Sequence, residues 1–402
     1  MTENAIAPER KTGGKGLTIA IVVAAIIAVV GIVLWMKQLS GGMVQTGMRT
    51  FNSWGLYITN FMFFVGLSAG GLIISSIPKA FGMKDFGGIT KIAVMTSIAA
   101  TVTAIGFVVV DLGGPARLWE LFVYSNLTSP LMWDIIVILV YLILSIILLW
   151  GMCGEDKGKV SHRALRMLSV VSLVTAVLVH SVTAWIFGLQ AGREMWHTAL
   201  LAPWFVSSAL VCGTALVIVA VIALRAAGYL KWEQANLVRL AKLLGAFVAV
   251  DLYFFGCDLL TAGVPQGSGK AVVDMLVSGP LAPFFWVEII GCIIAAIICF
   301  VPKLRTNALM VVAAVLAITA IFCKRVQLLV GGFQIANIES AGPVSSLTLP
   351  GAGNGIIGDA YSQMIYWPTG LEFGVTLGVI ALGFLVFFLG VRFINLKPKT
   401  ED

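Results

Sequence analysis

Charge is scarce in this chain. Asp, Glu, Lys and Arg make up 11% of its 402 residues, where soluble domains carry about a quarter. With 59% hydrophobic residues and a mean hydropathy of +1.00, that shortage excludes a soluble enzyme, a nucleic-acid binder and a disordered scaffold. Histidine is scarcer still. Of His162, His180 and His197, only His180 falls inside an apolar run, so bis-histidine haem within a membrane lacks a second ligand. Clustered cysteine is missing too. Cys153, Cys212, Cys257, Cys292, Cys299 and Cys323 form no CxxC or CxxCH pair, leaving no signature of an iron–sulfur cluster, a zinc site or covalent haem. The plain reading is packed thiols, with no metal site expected.

What the chain has is long apolar runs. Ten stretches of roughly 20 residues, each able to cross a bilayer, fall at 17–36, 52–77, 89–111, 131–153, 167–190, 201–225, 236–261, 281–301, 307–330 and 371–394. Arg10, Lys11 and Lys15 precede the first, as in a signal peptide. Its length and the lack of a small-residue cleavage site instead favour an uncleaved helix. The expected fold class is therefore an all-α polytopic membrane protein with about ten transmembrane helices.

Basic residues orient such a chain. With the N-terminus in the cytoplasm, 19 of the 26 Lys and Arg fall on that side. The remainder are Lys37, Arg49, Arg117, Arg193, Lys270, Lys324 and Arg325. Ten crossings then place both termini in the cytoplasm.

Landmarks also recur. Trp133 follows Ser129-Pro130-Leu131 as Trp286 follows Ser278-Gly279-Pro280-Leu281. Asp111 and Asp258 stand near the ends of the third and seventh runs, and Trp54 and Trp204 open the second and sixth. The spacing predicts two four-helix bundles related as a parallel repeat, flanked by the first and last helices. The divisions are 1–51 (N-terminus and first helix), 52–190 (first bundle), 201–330 (second bundle) and 331–402 (a long outer loop, then the last helix). A loop near 40 residues, rich in Gly, Ser and Pro, suits docking a partner or covering a site.

Ionisable residues inside a membrane cost roughly 2.5–3.5 kcal/mol each on insertion scales, so each needs a reason. His180, Asp251, Asp258, Glu288, Lys324 and Arg325 sit in the outer halves of their helices, and Asp111, Asp134 and Glu372 at outer helix ends. Asp251 and Asp258 are two turns apart and share a helix face. With Glu288, Lys324 and Arg325 they make either a compensated ion network or, with Asp134, a proton path. In the first bundle, Asn60 and His180 stand at similar depth as hydrogen-bonding groups near Trp54, Arg117, Trp133 and Trp185. A quinone needs such groups, an aromatic cleft and a proton route, for which His is suited by its titration near neutral pH. The alternative for His180 is a packed core residue. The small-residue run Gly66-Leu67-Ser68-Ala69-Gly70-Gly71 reads as close helix packing.

Three stretches carry a resemblance. Trp54-Gly55-Leu56-Tyr57 leading to Gly66–Gly71, Asp111-Leu112-Gly113-Gly114-Pro115-Ala116-Arg117-Leu118-Trp119, and Asn126-Leu127-Thr128-Ser129-Pro130-Leu131-Met132-Trp133 resemble the polysulfide reductase membrane-subunit (NrfD/PsrC-like) family. The length and His180-Ser181-Val182-Thr183-Ala184-Trp185 are similar to its longer, ten-helix DsrP/HmcC/QrcD/HybB-like branch. The resemblance covers roughly residues 50–330. Gly114 stands where many relatives have Arg.

The resemblance implies a subunit in a prokaryotic cytoplasmic membrane that holds no haem or iron–sulfur cluster. It would exchange electrons between membrane quinone (menaquinone or ubiquinone) and an extracytoplasmic iron–sulfur subunit, with further redox subunits attached. The resemblance carries over only to Trp54, Asp111, Arg117 and Trp133, while Asn60 and His180 are expected from their own place and chemistry as hydrogen-bonding groups. Asp111 and His180 are then the expected catalytic residues, and Trp54, Asn60, Arg117, Trp133 and Trp185 the quinone-binding ones. The expected proton path is Asp134, Asp251, Asp258, Glu288, Lys324 and Arg325. A secondary transporter is the rival function, since repeats and intramembrane charge suit one as well; a purely structural anchor is a third.

Overall fold

The structure is a computed structural model that describes residues 14–49, 52–81, 84–265, 268–334 and 366–396. The loop expected between 331 and 370 therefore lies mostly outside the described residues, as do Arg10, Lys11, Lys397 and Lys399.

Among the described residues there are twelve α-helices and no strand. They are α1 (Lys15–Gly41), α2 (Leu56–Phe81), α3 (Thr90–Asp111), α4 (Glu120–Val123), α5 (Pro130–Asp156), α6 (His162–Gly188), α7 (Leu201–Ala226), α8 (Gln234–Gly263), α9 (Ser268–Val277), α10 (Ala282–Phe300), α11 (Asn307–Gln334) and α12 (Gly370–Phe393). All except the short α4 and α9 are long and apolar enough to cross a membrane, ten in number. Each coincides with one of the ten apolar runs. Several helices extend past those runs because polar residues start them. Ser161 accepts from Ala164 N at 3.2 Å and begins α6 at His162, and Pro130 opens α5 at a position that needs no N–H. Thr369 and Glu372 form a reciprocal cap on α12.

Helix α2 runs buried through the middle, packed on α3, α6, α7 and α11. Its nearest approach is to α7. A Cβ on Gly70 would fall 2.5 Å from Gly213 Cα, so only glycine lets these backbones meet. The contacts close one ring through α2, α3, α5 and α6 and a second through α7, α8, α10 and α11. Helix α12 packs on α3 and on α1, meeting α1 where Gly31 and Gly378 face one another. Outward faces carry bare aliphatics, such as Ile143 on α5 and Ile19 on α1, as lipid contact requires.

Polar contacts tie the helices at both ends. At one end Lys91 pairs with Asp156, and Gln234 Nε2 donates to Asn307 Oδ1 at 2.9 Å. At the other, called here the Asp111 end, Gln38 Nε2 donates to Val110 O at 3.1 Å and Trp196 Nε1 to Leu328 O at 2.7 Å.

Candidate functional site within the helix rings

Second-ring polarity centres on Lys324. Its Nζ pairs with Asp251 of α8 and lies 3.3 Å from Glu288 Oε1 of α10, and all three side chains are buried. Ser207 Oγ donates to Asp251 Oδ1 at 3.0 Å, and Gln327 Nε2 to Glu288 Oε2 at 2.7 Å. The ammonium also sits 4.5 Å from the Trp204 ring centroid, a cation–π contact. Buried ions are tolerable only when paired and hydrogen-bonded in this way.

The adjacent Arg325 turns elsewhere. Successive helical residues point about 100° apart, so Arg325 leaves the carboxylates and stacks on Phe205 at 3.7 Å. Its Nη2 donates to Ser208 Oγ at 2.5 Å, while Nε has no hydrogen-bond partner. His180 stands at the seam between the rings, where Gly66 of α2 meets Cys212 of α7. His180 is 1% exposed, and neither ring nitrogen has a hydrogen-bond partner. It lies beside Gly66, where a Cβ would stand 3.8 Å from Nε2 and 3.2 Å from Cys212 Sγ.

The two rings share a pattern. In the first, Thr183 Oγ1 of α6 donates to Asp134 Oδ1 of α5 at 2.5 Å. In the second, Gln327 of α11 donates to Glu288 of α10. His180 precedes Thr183 by three residues, as Lys324 precedes Gln327. Trp133 and Trp286 each donate Nε1 to a carbonyl that precedes their helix, Leu127 O at 2.6 Å and Val277 O, at the end of α9, at 3.1 Å. The difference is counter-charge: Lys324 has Asp251, whereas the corresponding position of α3 is the uncharged Ala104.

At the Asp111 end a further network gathers residues outside those expected from sequence. Tyr57 Oη donates to Gln38 Oε1 at 2.6 Å. Glu372 accepts from Gly47 N at 2.6 Å, Thr369 N at 2.8 Å and Tyr366 Oη at 2.5 Å. Burial, reinforced by Glu372, holds the Tyr366 hydroxyl well above its usual titration range. Asp111 is half-buried, and its Oδ1 has no hydrogen-bond partner. Trp54 packs edge-on against Phe187 and Phe333, and Trp196 joins both rings. Arg193 covers this aromatic group, its guanidinium 5.2 Å from Phe333.

The other expected binding residues are dispersed. Asn60 Nδ2 donates to Leu56 O at 2.8 Å on its own helix. His180 sits beside Gly66, about 9 Å further along α2 by helical rise, so the similar depth expected for Asn60 and His180 is corrected. Trp185 is 37% exposed on the outer face of α6. Arg117 is exposed and holds Glu120 at 3.0 Å.

A partly enclosed cavity of about 160 Å3 lies in the second ring, at its Asp111 end, beneath α9. Asp258, Glu288, Lys324 and Arg325 line it, together with Trp204 and Phe255. Four residues expected in a proton path thus share one space. Asp251 stands behind it, bonded to Lys324. A signal for the missed partners exists in the sequence: Ser207, Ser208 and Gln327 are polar residues within apolar helices. Among the described residues no group of His, Cys, Asp and Glu is arranged to hold a metal ion.

Comparison with known proteins decides the family. The model for polysulphide reductase NrfD matches residues 44–337. The chain belongs to the NrfD family. A protein of Halobacterium salinarum, provisionally named as a dimethyl sulfoxide reductase membrane subunit, is 32% identical over 94% of this chain and 92% of its own. A selenate reductase subunit from Mesobacillus selenatarsenatis is 26% identical over 94% of each chain. The Hdr-like menaquinol oxidoreductase integral membrane subunit of Archaeoglobus fulgidus is 26% identical over 97% and 96%. The relatives are thus subunits of redox complexes, matched nearly end to end, and this NrfD protein is a multi-pass membrane protein.

The NrfD motif Asp111–Trp119 turns the chain out of α3. Gly113 takes φ +64°, a backbone state that favours glycine, and Pro115–Arg117 form a single tight turn. Gly114 faces open space. Arg117, Tyr124, Asn126 and Met132 line an open groove of about 620 Å3 beside it.

Proposed function

We propose that this chain is the quinone-interacting membrane subunit of a respiratory redox complex, exchanging electrons between membrane quinone and an extracytoplasmic iron–sulfur partner. The observation that carries the reading is the near full-length similarity to a menaquinol oxidoreductase membrane subunit. Under it both termini face the cytoplasm, and the Asp111 end faces the partner.

Quinone supplies the two-electron, two-proton chemistry; the chain supplies binding and proton handling. The orphaned polar atoms of the first ring support this division, because buried groups without partners are rare in native proteins. We assign His180 Nε2 and Asp111 Oδ1 to hydrogen bonding and proton exchange. Trp54 and the aromatic group around it exclude water, while Asn60, Arg117, Trp133 and Trp185 shape the approach. Asp134, Asp251, Asp258, Glu288, Lys324 and Arg325 hold protons or fix the charge along a path from the partner side.

Affinity purification through a tag on this chain tests the reading. The expected result is a co-purifying iron–sulfur protein whose electron paramagnetic resonance signal changes when naphthoquinol or naphthoquinone is added. A chain that purifies without any redox protein, from membranes grown under respiratory conditions, overturns it.

A further inference from the structure

The second-ring cavity carries more than a proton path requires. At about 160 Å3 it exceeds the roughly 150 Å3 that holds a benzene ring. Trp204, Phe205 and Phe255 contribute to its wall, and Trp204 stacks on Phe255 at 5.2 Å with 22° between planes. Two donors on that wall have no hydrogen-bond partner, Trp204 Nε1 and Arg325 Nε. Trp204 is 7% and Arg325 1% exposed. An indole N–H and a guanidinium N–H only donate, so both require an acceptor oxygen. Glu288 and Asp258 line the same cavity.

The chemistry selects among occupants. Charge alone selects no occupant, because Lys324 and Arg325 share the wall with the carboxyl groups of Glu194, Asp258 and Glu288; the two unpartnered donors select an acceptor. A hydrocarbon would fill the aromatic space and leave both donors unsatisfied. A flat ring bearing carbonyl oxygens meets both demands, and the carboxyl groups on the same wall suit its hydroxyl form.

We propose that this cavity is a second quinone-headgroup site, separate from the first-ring residues His180 and Asp111, in which Trp204 Nε1 and Arg325 Nε donate to a ring oxygen. The site rests on the reading of the chain as a quinone-interacting subunit. Helix α9 covers the space, with Val272 and Leu276 on its inner face, and sets the entry for the ring.

The test is binding stoichiometry, read without turnover. The full chain in phosphatidylcholine nanodiscs is titrated with 2-heptyl-4-hydroxyquinoline N-oxide, a fluorescent quinol analogue, by fluorescence quenching. Two equivalents are expected for the wild type. Trp204→Phe keeps the ring and removes the donor, and should weaken one equivalent about tenfold while leaving the other unchanged. Asp111→Asn should weaken only the equivalent that Trp204→Phe spares. Arg325→Gln serves as a second variant, with retained folding checked by its melting temperature. One equivalent, unaffected by Trp204→Phe, overturns the second site and leaves the quinone reading standing. No saturable binding at all overturns both. Two equivalents that Trp204→Phe leaves intact overturn the assignment to this cavity.

Discussion

Arg325 stacks on Phe205, its guanidinium carbon 3.7 Å from the ring centroid, while Lys324, one residue earlier, is held by Asp251 and Glu288. Two neighbouring cations in one helix thus serve two environments. Lys324 closes an ion triad inside the second ring. Arg325 has no ion pair among the described residues and faces the cavity and the seam between rings.

Removing Lys324 should be severe. Lys324→Met leaves Asp251 and Glu288 buried without their cation, an expected loss of about 3–5 kcal/mol. The double variant Lys324→Met with Asp251→Asn should recover much of that loss. Thermal unfolding in detergent measures both, and a double variant no more stable than the single would contradict the pairing.

Glycine at the α2–α7 crossing should be irreplaceable. Gly70→Val would drive a side chain into Gly213 Cα, 2.5 Å from an added Cβ, and into Ala209 O. The yield of folded protein should fall sharply. Gly16→Ala, on α1 where nothing lies within 4 Å, should be neutral or slightly stabilising. Fluorescence-detected size exclusion compares the two.

These two cases show how far the sequence could be read. The ten crossings were legible because hydropathy and length alone decide a membrane span. The recurrence of Trp133 at Trp286 was legible as well, and both indoles donate to a carbonyl just before their own helix. Depth along a helix could be counted, but neighbours could not: nothing local says that His180 lies against Gly66 or that Arg325 reaches Ser208. The cavity was invisible for the same reason, since it is made by α7, α8, α9, α10 and α11 together. Gln327 was within reach, as a polar residue one turn from Lys324.

Thr183 should matter through its hydroxyl. Thr183→Val keeps the shape and removes the donor to Asp134, leaving a buried carboxyl oxygen unsatisfied at a cost of about 1–3 kcal/mol. Thr183→Ser should retain most of the stability. Melting temperatures in the same detergent check the order wild type, Ser, Val.

Tyr366 gives the Asp111 end a pH dependence. Its folded titration lies above the ordinary value of 10.0, so the folded state keeps a proton that the unfolded state releases. The associated stability is fully present below pH 10 and is lost as pH rises through the folded value. Tyr366→Phe should therefore show a smaller fall in melting temperature above pH 10 than the wild type, and an identical fall would contradict the assignment.

Quinone-coupled turnover of the purified complex carrying Asp111→Asn or His180→Ala is the most direct measurement. Electron exchange between naphthoquinol and the co-purified redox subunits should be abolished in both variants, with the same subunits present in wild-type ratio. Wild-type turnover in both variants, with the complex equally assembled, would contradict quinone chemistry at these residues.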